Sequence, residues 1–260
     1  HRDLHSFPTR RSSDLDDVLF ETNRKWVTAQ QNLIFDVHSR LAGLPGTVDV
    51  RKDLLTKSLN NLKEASAQYQ SNKTRNRRGM FAKTVLADLH VKIGSGLQGA
   101  SDPIEAGTAE TEQAPWSIAK TLYEEARGIG EELLKGSTSK DTNRVALDLS
   151  LINLKLGRLS QDMDDDLPTT KKYYDDAIEI LGTLPNQADR TVRRDLSVAH
   201  VGLGDLYISK KDTENAKKHY DDAFEIRQDL ARNATDSDAQ VDLALAYERL
   251  AKLAENSFDN

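Results

Sequence analysis

Three stretches of this chain repeat one pattern: AKTLYEEARGI from Ala119, TKKYYDDAIEI from Thr170 and AKKHYDDAFEI from Ala216. Tyr123, Tyr174 and Tyr220 are each followed by two acids, then by Ala126, Ala177 or Ala223, then by Ile129, Ile180 or Ile226. A second element alternates with the first. Asp148-Leu149, Asp195-Leu196 and Asp242-Leu243 recur at intervals of 47 residues, and seven residues after each Leu stands Leu156-Gly157, Leu203-Gly204 or Leu250-Ala251. LADLH from Leu86 matches LGDLY from Leu203, and VRKDL from Val50 matches VRRDL from Val192. Such a period constrains the fold strongly, because each unit is one supersecondary element and units must stack to bury their apolar faces.

Ala, Tyr four residues later and Ala three residues after that share one stripe of an α-helix. The spacing therefore predicts two helices per unit, the first (A) carrying Leu-Gly and the second (B) carrying Ala-Tyr-Ala. Short side chains at Gly204, Ala216 and Ala223 let neighbouring backbones approach, and Tyr220 fills the gap between them. A bulky residue at Ala223 would overpack, at about 1–3 kcal/mol. The expected fold class is all-α, a solenoid of antiparallel helix pairs. Composition agrees: Pro occurs 6 times and aromatics make up 6% of the chain, which favours helix over sheet.

In the unit from Ser197, the residues Leu203, Gly204, Tyr207, Ala216, Tyr220 and Ala223 fall where tetratricopeptide repeats carry them, and the chain resembles that family over roughly residues 77–260. The unit from Ser150 departs, with Ser160 in place of the aromatic and Thr170 in place of the first Ala. The unit with Leu86 has Ala87 in place of Gly and is interrupted over 95–115. The period exceeds the family's usual repeat of about 34 residues, which implies longer helices or linkers. LPGTVDVRKDLL (Leu44–Leu55) ahead of such repeats is similar to the C-terminal halves of large bacterial serine/threonine protein kinases.

The resemblance implies a non-catalytic protein–protein interaction scaffold, a fragment of a bacterial multidomain regulator such as a kinase, with no cofactor. It implies a groove lined by positions one and four of each A helix and two after its Leu. These are Phe81, Thr84 and Asp88; Leu151, Leu154 and Arg158; Val198, Val201 and Asp205; and Leu245, Glu248 and Lys252. Apolar centres with charged flanks suit a helical or extended peptide. The Lys/Asn clamp with which some family members grip a C-terminal carboxylate is replaced by Thr84/Asp88 and Val201/Asp205, which argues against a chaperone-tail ligand. The competing expectation is a spacer or self-association module, a homo-oligomer without a ligand groove.

The rest of the chain reads as follows. Residues 1–15, HRDLHSFPTRRSSDL, back-translate to the adapter ligated to DNA fragments for short-read sequencing, and are expected to be an artefact outside the fold. HRDL also opens a kinase catalytic loop, but the Asn required four residues after the Leu is Pro8. Residues 16–44 read as an amphipathic connector helix, a coiled-coil candidate, with Leu19, Trp26, Leu33, Val37, Leu41 and Leu44 on its stripe. Pro45-Gly46 ends it. Residues 48–94 read as a helical hairpin across QSNKTRN, and 95–115 as a flexible loop. Residues 116–260 carry the repeats, of which the last has an A helix (Asp242–Leu253) but ends before a B helix.

Several signals look chemical and have a simpler reading. Gly94, Gly96 and Gly99 spell G-x-G-x-x-G, but a helix rather than a strand precedes them, which suits a flexible loop after a helix end. Asp162, Asp164 and Asp166 have calcium-loop spacing, but Leu167 and Tyr173 stand where Gly and Glu are needed. His38, His90, His200 and His219 form no zinc-type pair in sequence and read as packing or surface residues. Lys73, Arg75, Arg77 and Arg78 form a basic turn. The net charge is −6, and residues 1–15 contribute +1 of it, so a nucleic-acid partner is not expected. The chain contains no Cys, and no apolar run approaches the roughly 20 residues that span a bilayer. The compartment is expected to be cytoplasmic, with a parent protein attached to a membrane.

Overall fold

The computed structural model describes parts of residues 22–61 and all of 77–258 except 99–108, 137–140, 164–166 and 233–236. From Arg77 onward seven helices follow one another: α1 (Arg77–Gln98), α2 (Ala109–Gly136), α3 (Asp141–Asp162), α4 (Leu167–Thr183), α5 (Arg190–Ser209), α6 (Thr213–Arg232) and α7 (Ser237–Phe258). No strand occurs among the described residues. Each helix packs on the next, and α1, α3 and α5 also touch one another in order. The fold is an all-α solenoid of antiparallel helix pairs. The A helices are α1, α3, α5 and α7, and the B helices are α2, α4 and α6.

Local chemistry sets the helix ends. Asp189 is the N-cap of α5 and accepts from the backbone N–H of Thr191 and Val192, satisfying donors that the first turn leaves open. Asp212 does the same for α6, accepting from the N–H of Asn215 at 3.1 Å. The α5–α6 turn is tight enough to hold Lys211 at a φ of 62°. At the end of α4, Gln187 donates its Nε2 to the carbonyls of Leu181 and Leu184 at 2.8 and 2.6 Å, which are groups the helix itself cannot pair.

The repeat stripes are buried. Tyr123, Ala119 and Ala126 of α2 join Met80, Ala87, Ile152, Leu156 and Tyr173 in the largest cluster. Tyr174 and Ala177 of α4 pack with Leu154, Ala199, Leu203 and Leu206. Ala216 and Tyr220 of α6 pack with Leu253, flanked by Tyr207 and Leu250, and Ala223 is 1% exposed. The departures of the second unit carry a cost: Ser160 and Thr170 are fully buried and neither hydroxyl has a hydrogen-bond partner, an arrangement that is unfavourable by about 1–3 kcal/mol per group.

On the expected connector stripe Leu33 is 63% and Leu44 56% exposed, while Ile34 and Phe35 pack against Leu86 and Leu89 of α1. Two local expectations need correction. The loop expected over 95–115 is helical at both ends, within α1 to Gln98 and within α2 from Ala109; 99–108 lie outside the described residues. Gly94 is therefore inside a helix, covered by the Trp116 indole, whose Cδ1 would lie 2.0 Å from a Cβ placed there. Residues 1–21 and the QSNKTRN turn lie outside the described residues, as do Trp26, His38, Lys73, Arg75, Gly99, Asp164 and Asp166.

Candidate interaction face

One position recurs on the open side of the A helices. It lies five residues before the Leu of each unit and is occupied by Phe81, Leu151, Val198 and Leu245. Leu151, Val198 and Leu245 are 36%, 40% and 40% exposed. Phe81 is half-buried, with the Arg24 guanidinium 5.7 Å from its ring centroid. Because α1, α3 and α5 pack in order and ion pairs tie α7 to α5, these residues recur as a ladder, one per A helix. Arg158, Glu248 and Lys252 are exposed, and all three are engaged along their own helices: Arg158 with Asp162, and Lys252 with Glu248.

The other positions of the expected groove behave differently. Thr84, Leu154 and Val201 are buried and do not line it. Leu154 lies in the core with Tyr174 and Ala199, and Thr84 donates its hydroxyl to the Met80 carbonyl at 2.9 Å. α5 packs over Leu154 through Ala199 and Leu203, and with Thr84 and Val201 also buried the open face is narrower than the resemblance implies. Asp88 and Asp205 point between units. Asp88 accepts from the Tyr123 hydroxyl and from Lys155 of the next A helix. Asp205 accepts from the Tyr220 hydroxyl at 2.7 Å and from Arg249 of the next A helix at 2.9 and 3.0 Å.

These ion pairs alternate along the array. Arg77 of α1 meets Asp148 of α3, and Arg194 of α5 meets Asp242 of α7, at 2.7 and 2.8 Å. The α3–α5 junction has neither pair. Leu147 stands where Arg77 and Arg194 stand in their units, Arg158 stands in place of the acid, and Gly202 replaces the Lys155/Arg249 cation. The space is taken by Tyr174: a Cβ at Gly202 would lie 2.3 Å from its Cε1. Its hydroxyl donates to Gln161 at 3.1 Å.

Asp195 is left without an ion-pair partner at this junction. It faces a cleft of about 340 Å³ with Arg24, Lys25, Arg77, Arg144, Asp148 and Leu151 around it. Burial raises its carboxyl to about 6, against the pull of Arg194 and with Asp189 adding to the rise. The folded chain therefore binds more protons than the unfolded chain from the usual 3.8 up to about 6. Stability falls as pH rises through that window and is lowest above it. Asp195→Asn should remove this slope and raise stability at pH 7 by on the order of 1–2 kcal/mol, with no gain near pH 4. Urea unfolding of both proteins at the two pH values checks it; an equal shift at both would count against an ionised Asp195 as the cause.

A second cluster joins residues that are far apart in sequence. His200 of α5 and His219 of α6 bring their Nδ1 atoms to 3.1 Å, and Asp222 of α6 lies 3.5 Å from His200 Nδ1. One ligand atom from each of the three lies within 4.8 Å of the others. Burial lowers the proton affinity of both rings, and the neighbouring His200 lowers that of His219 further, with Lys218 acting in the same direction and Asp222 opposing. Sequence spacing carries no sign of this cluster, since 19 residues separate the histidines and only the α5–α6 register brings them together.

No protein-family model and no curated protein matches the chain. Solved structures do resemble it. The structure of BtubC (BKLC) from P. vanneervenii aligns over 92% of this chain and 88% of its own, with a TM-score of 0.53 and 18% identity. The de novo designed helical repeat protein DHR64 aligns over 92% and 98% with a TM-score of 0.33 and 14% identity. The DHF58 filament aligns over 90% and 97% with a TM-score of 0.33 and 15% identity. Among the described residues, no helix is long and apolar enough to cross a membrane.

Proposed function

We propose that the chain is a non-catalytic scaffold that binds an apolar, helical or extended segment of another protein along its A helices. The observation that carries this reading is the ladder of Leu151, Val198 and Leu245, one residue per unit and each open to solvent. Side chains exposed singly are ordinary. A row at repeat spacing on stacked helices is a continuous apolar track of the kind that solenoids present to partners. Its edge is basic near Arg24, Lys25 and Arg144, so the preferred segment carries apolar anchors followed by a carboxylate. The tetratricopeptide-like residues Leu203, Gly204, Tyr220 and Ala223 support a repeat scaffold, and the Leu44–Leu55 resemblance supports a larger bacterial kinase-type regulator as its source.

A second reading rests on Leu33 and Val37, which are 63% and 36% exposed on helical residues ahead of the repeats. They offer a seam for a second copy. The two readings part in one experiment. Peptides selected from a displayed library for binding to the intact chain should lose at least tenfold in affinity in Leu151→Asp/Val198→Asp/Leu245→Asp, with helicity preserved. Sedimentation of the same variant should match the parent chain. Selected peptides that bind the variant unchanged would overturn the scaffold reading. A parent that dimerises, and that becomes monomeric in Leu33→Asp/Val37→Asp, would establish the second.

A further inference from the structure

We infer that His200, His219 and Asp222 form a three-ligand site for a borderline divalent transition metal, zinc foremost, between α5 and α6. The argument begins with distances. Zinc binds His nitrogen and carboxylate oxygen at about 2.0–2.2 Å, so neighbouring ligand atoms on a tetrahedron stand roughly 3.3–3.5 Å apart. The two measured edges are 3.1 Å between the Nδ1 atoms and 3.5 Å between His200 Nδ1 and Asp222 Oδ2. The third edge, between His219 and Asp222, is no longer than 4.8 Å, so a metal can meet all three after a side-chain rotation of at most about an ångström. Three protein ligands also leave a fourth position open to water or to a donor from outside.

Preorganisation is the second part. Each ligand is the immediate neighbour of a core residue: His200 follows Ala199, His219 precedes Tyr220 and Asp222 precedes Ala223, and those three are 0%, 5% and 1% exposed. The helix-pair register thus fixes all three backbones. The Tyr207 ring stacks on His219 with centroids 5.6 Å apart and planes 5° from parallel, which holds that imidazole in its orientation. Ligands positioned by packed helices in this way need little reorganisation on binding. Without a metal, the 3.1 Å contact requires one Nδ1–H to donate to the lone pair of the other ring. Binding needs only that the donor ring carry its hydrogen on Nε2 instead, so both Nδ1 lone pairs face the metal with no net loss of a proton.

The third part is ligand type. Two imidazoles and one carboxylate suit zinc, cobalt or nickel over calcium or magnesium, which take oxygen-rich shells. The experiment uses the full chain, stripped with chelator and titrated with Co²⁺ and with Zn²⁺ in competition. The expected result is one saturable site per chain with visible Co²⁺ bands of low coordination number, displaced by Zn²⁺. His219→Gln and Asp222→Asn, both away from the buried stripe, should each weaken it at least tenfold, whereas His90→Gln should leave it unchanged. Circular dichroism confirms that each variant is folded. Failure to saturate at millimolar Co²⁺ would overturn the proposal. So would an affinity that His219→Gln and Asp222→Asn leave intact, since the metal would then lie elsewhere on the chain.

Discussion

Gly202→Ala should cost about 2–3 kcal/mol, although alanine is the better helix former by about 1 kcal/mol. The added Cβ would stand 2.3 Å from Cε1 and 2.4 Å from Cζ of Tyr174, distances no carbon pair tolerates. Tyr174 has no room to retreat. Its far side meets Gly157, where a Cβ would already lie 2.8 Å from the ring, and its base packs on Ala177, Ala199 and Leu203. The new methyl must therefore push α5 away from α4, and overpacking of this kind typically costs 1–3 kcal/mol. Gly128→Ala and Gly182→Ala are the matched controls. A Cβ at either meets nothing within 4 Å, so both should stabilise by about 0.5–1 kcal/mol through helix propensity alone. Tyr174→Leu in the Gly202→Ala background should recover part of the loss. Thermal unfolding of the four proteins decides the matter: a Gly202→Ala variant as stable as Gly128→Ala would mean that Tyr174 does not lock the α3–α5 junction.

That junction also shows what can be read from residues alone and what cannot. The period of 47 and the Tyr-x-x-Ala spacing are local, so they identify paired helices and which face each one buries. Ala126, Ala177 and Ala223, with Tyr123, Tyr174 and Tyr220, are buried because their spacing leaves them on the side that stacking must cover. Contacts between units follow no such local rule. Asp88 and Asp205 sit two residues after a Leu on the nominal groove face, yet bond to Lys155 and Arg249, 67 and 44 residues away. Gly202 could be noticed as a glycine within a helix, but its meaning depends on a tyrosine 28 residues earlier in the chain. Spacing borrowed from shorter repeats puts Leu154 and Val201 in the groove, yet both are buried, Leu154 under Ala199 and Leu203 of the next A helix. His200 and His219 meet because of an inter-helix register that periodicity does not encode.

Asp205→Ala should cost about 2–3 kcal/mol and should act mainly on α7. Asp205 serves two partners at once: it accepts from the Tyr220 hydroxyl and takes a two-point contact from Arg249. Burial, followed by the bond to Asp205, holds the Tyr220 phenol well above its usual proton affinity, and the same aspartate raises that of Arg249. Truncation leaves a hydroxyl of a buried tyrosine unpaired, at about 1–3 kcal/mol, and releases a guanidinium that is about a third exposed and so contributes less. The consequence is directional because the other contacts of α7 are to α6: Arg227 to the Asp242 carbonyl, Gln240 to the Ala231 carbonyl and Phe224 edge-on to Tyr247. On one side it packs on α6 through Leu253 and Leu250, and to α5 it is tied by Arg249–Asp205 and Arg194–Asp242. Its remaining surface leaves Val241, Leu245 and Tyr247 at 55%, 40% and 54% exposure. In a solenoid, each unit is stabilised only by its neighbours, so a helix held on one side opens independently of the rest. Amides of Leu243–Leu253 should therefore exchange faster than those of Leu196–Leu206 in the unmodified chain, and Asp205→Ala should accelerate α7 further while leaving α1 to α4 unchanged. Asp88→Ala, the equivalent change at the α1–α3 junction, should spare α7 and loosen α1 instead. If α7 exchanged as slowly as α5, or if Asp205→Ala raised exchange evenly along the whole array, the units would be opening together and the inter-unit ion pairs would not be what fastens α7.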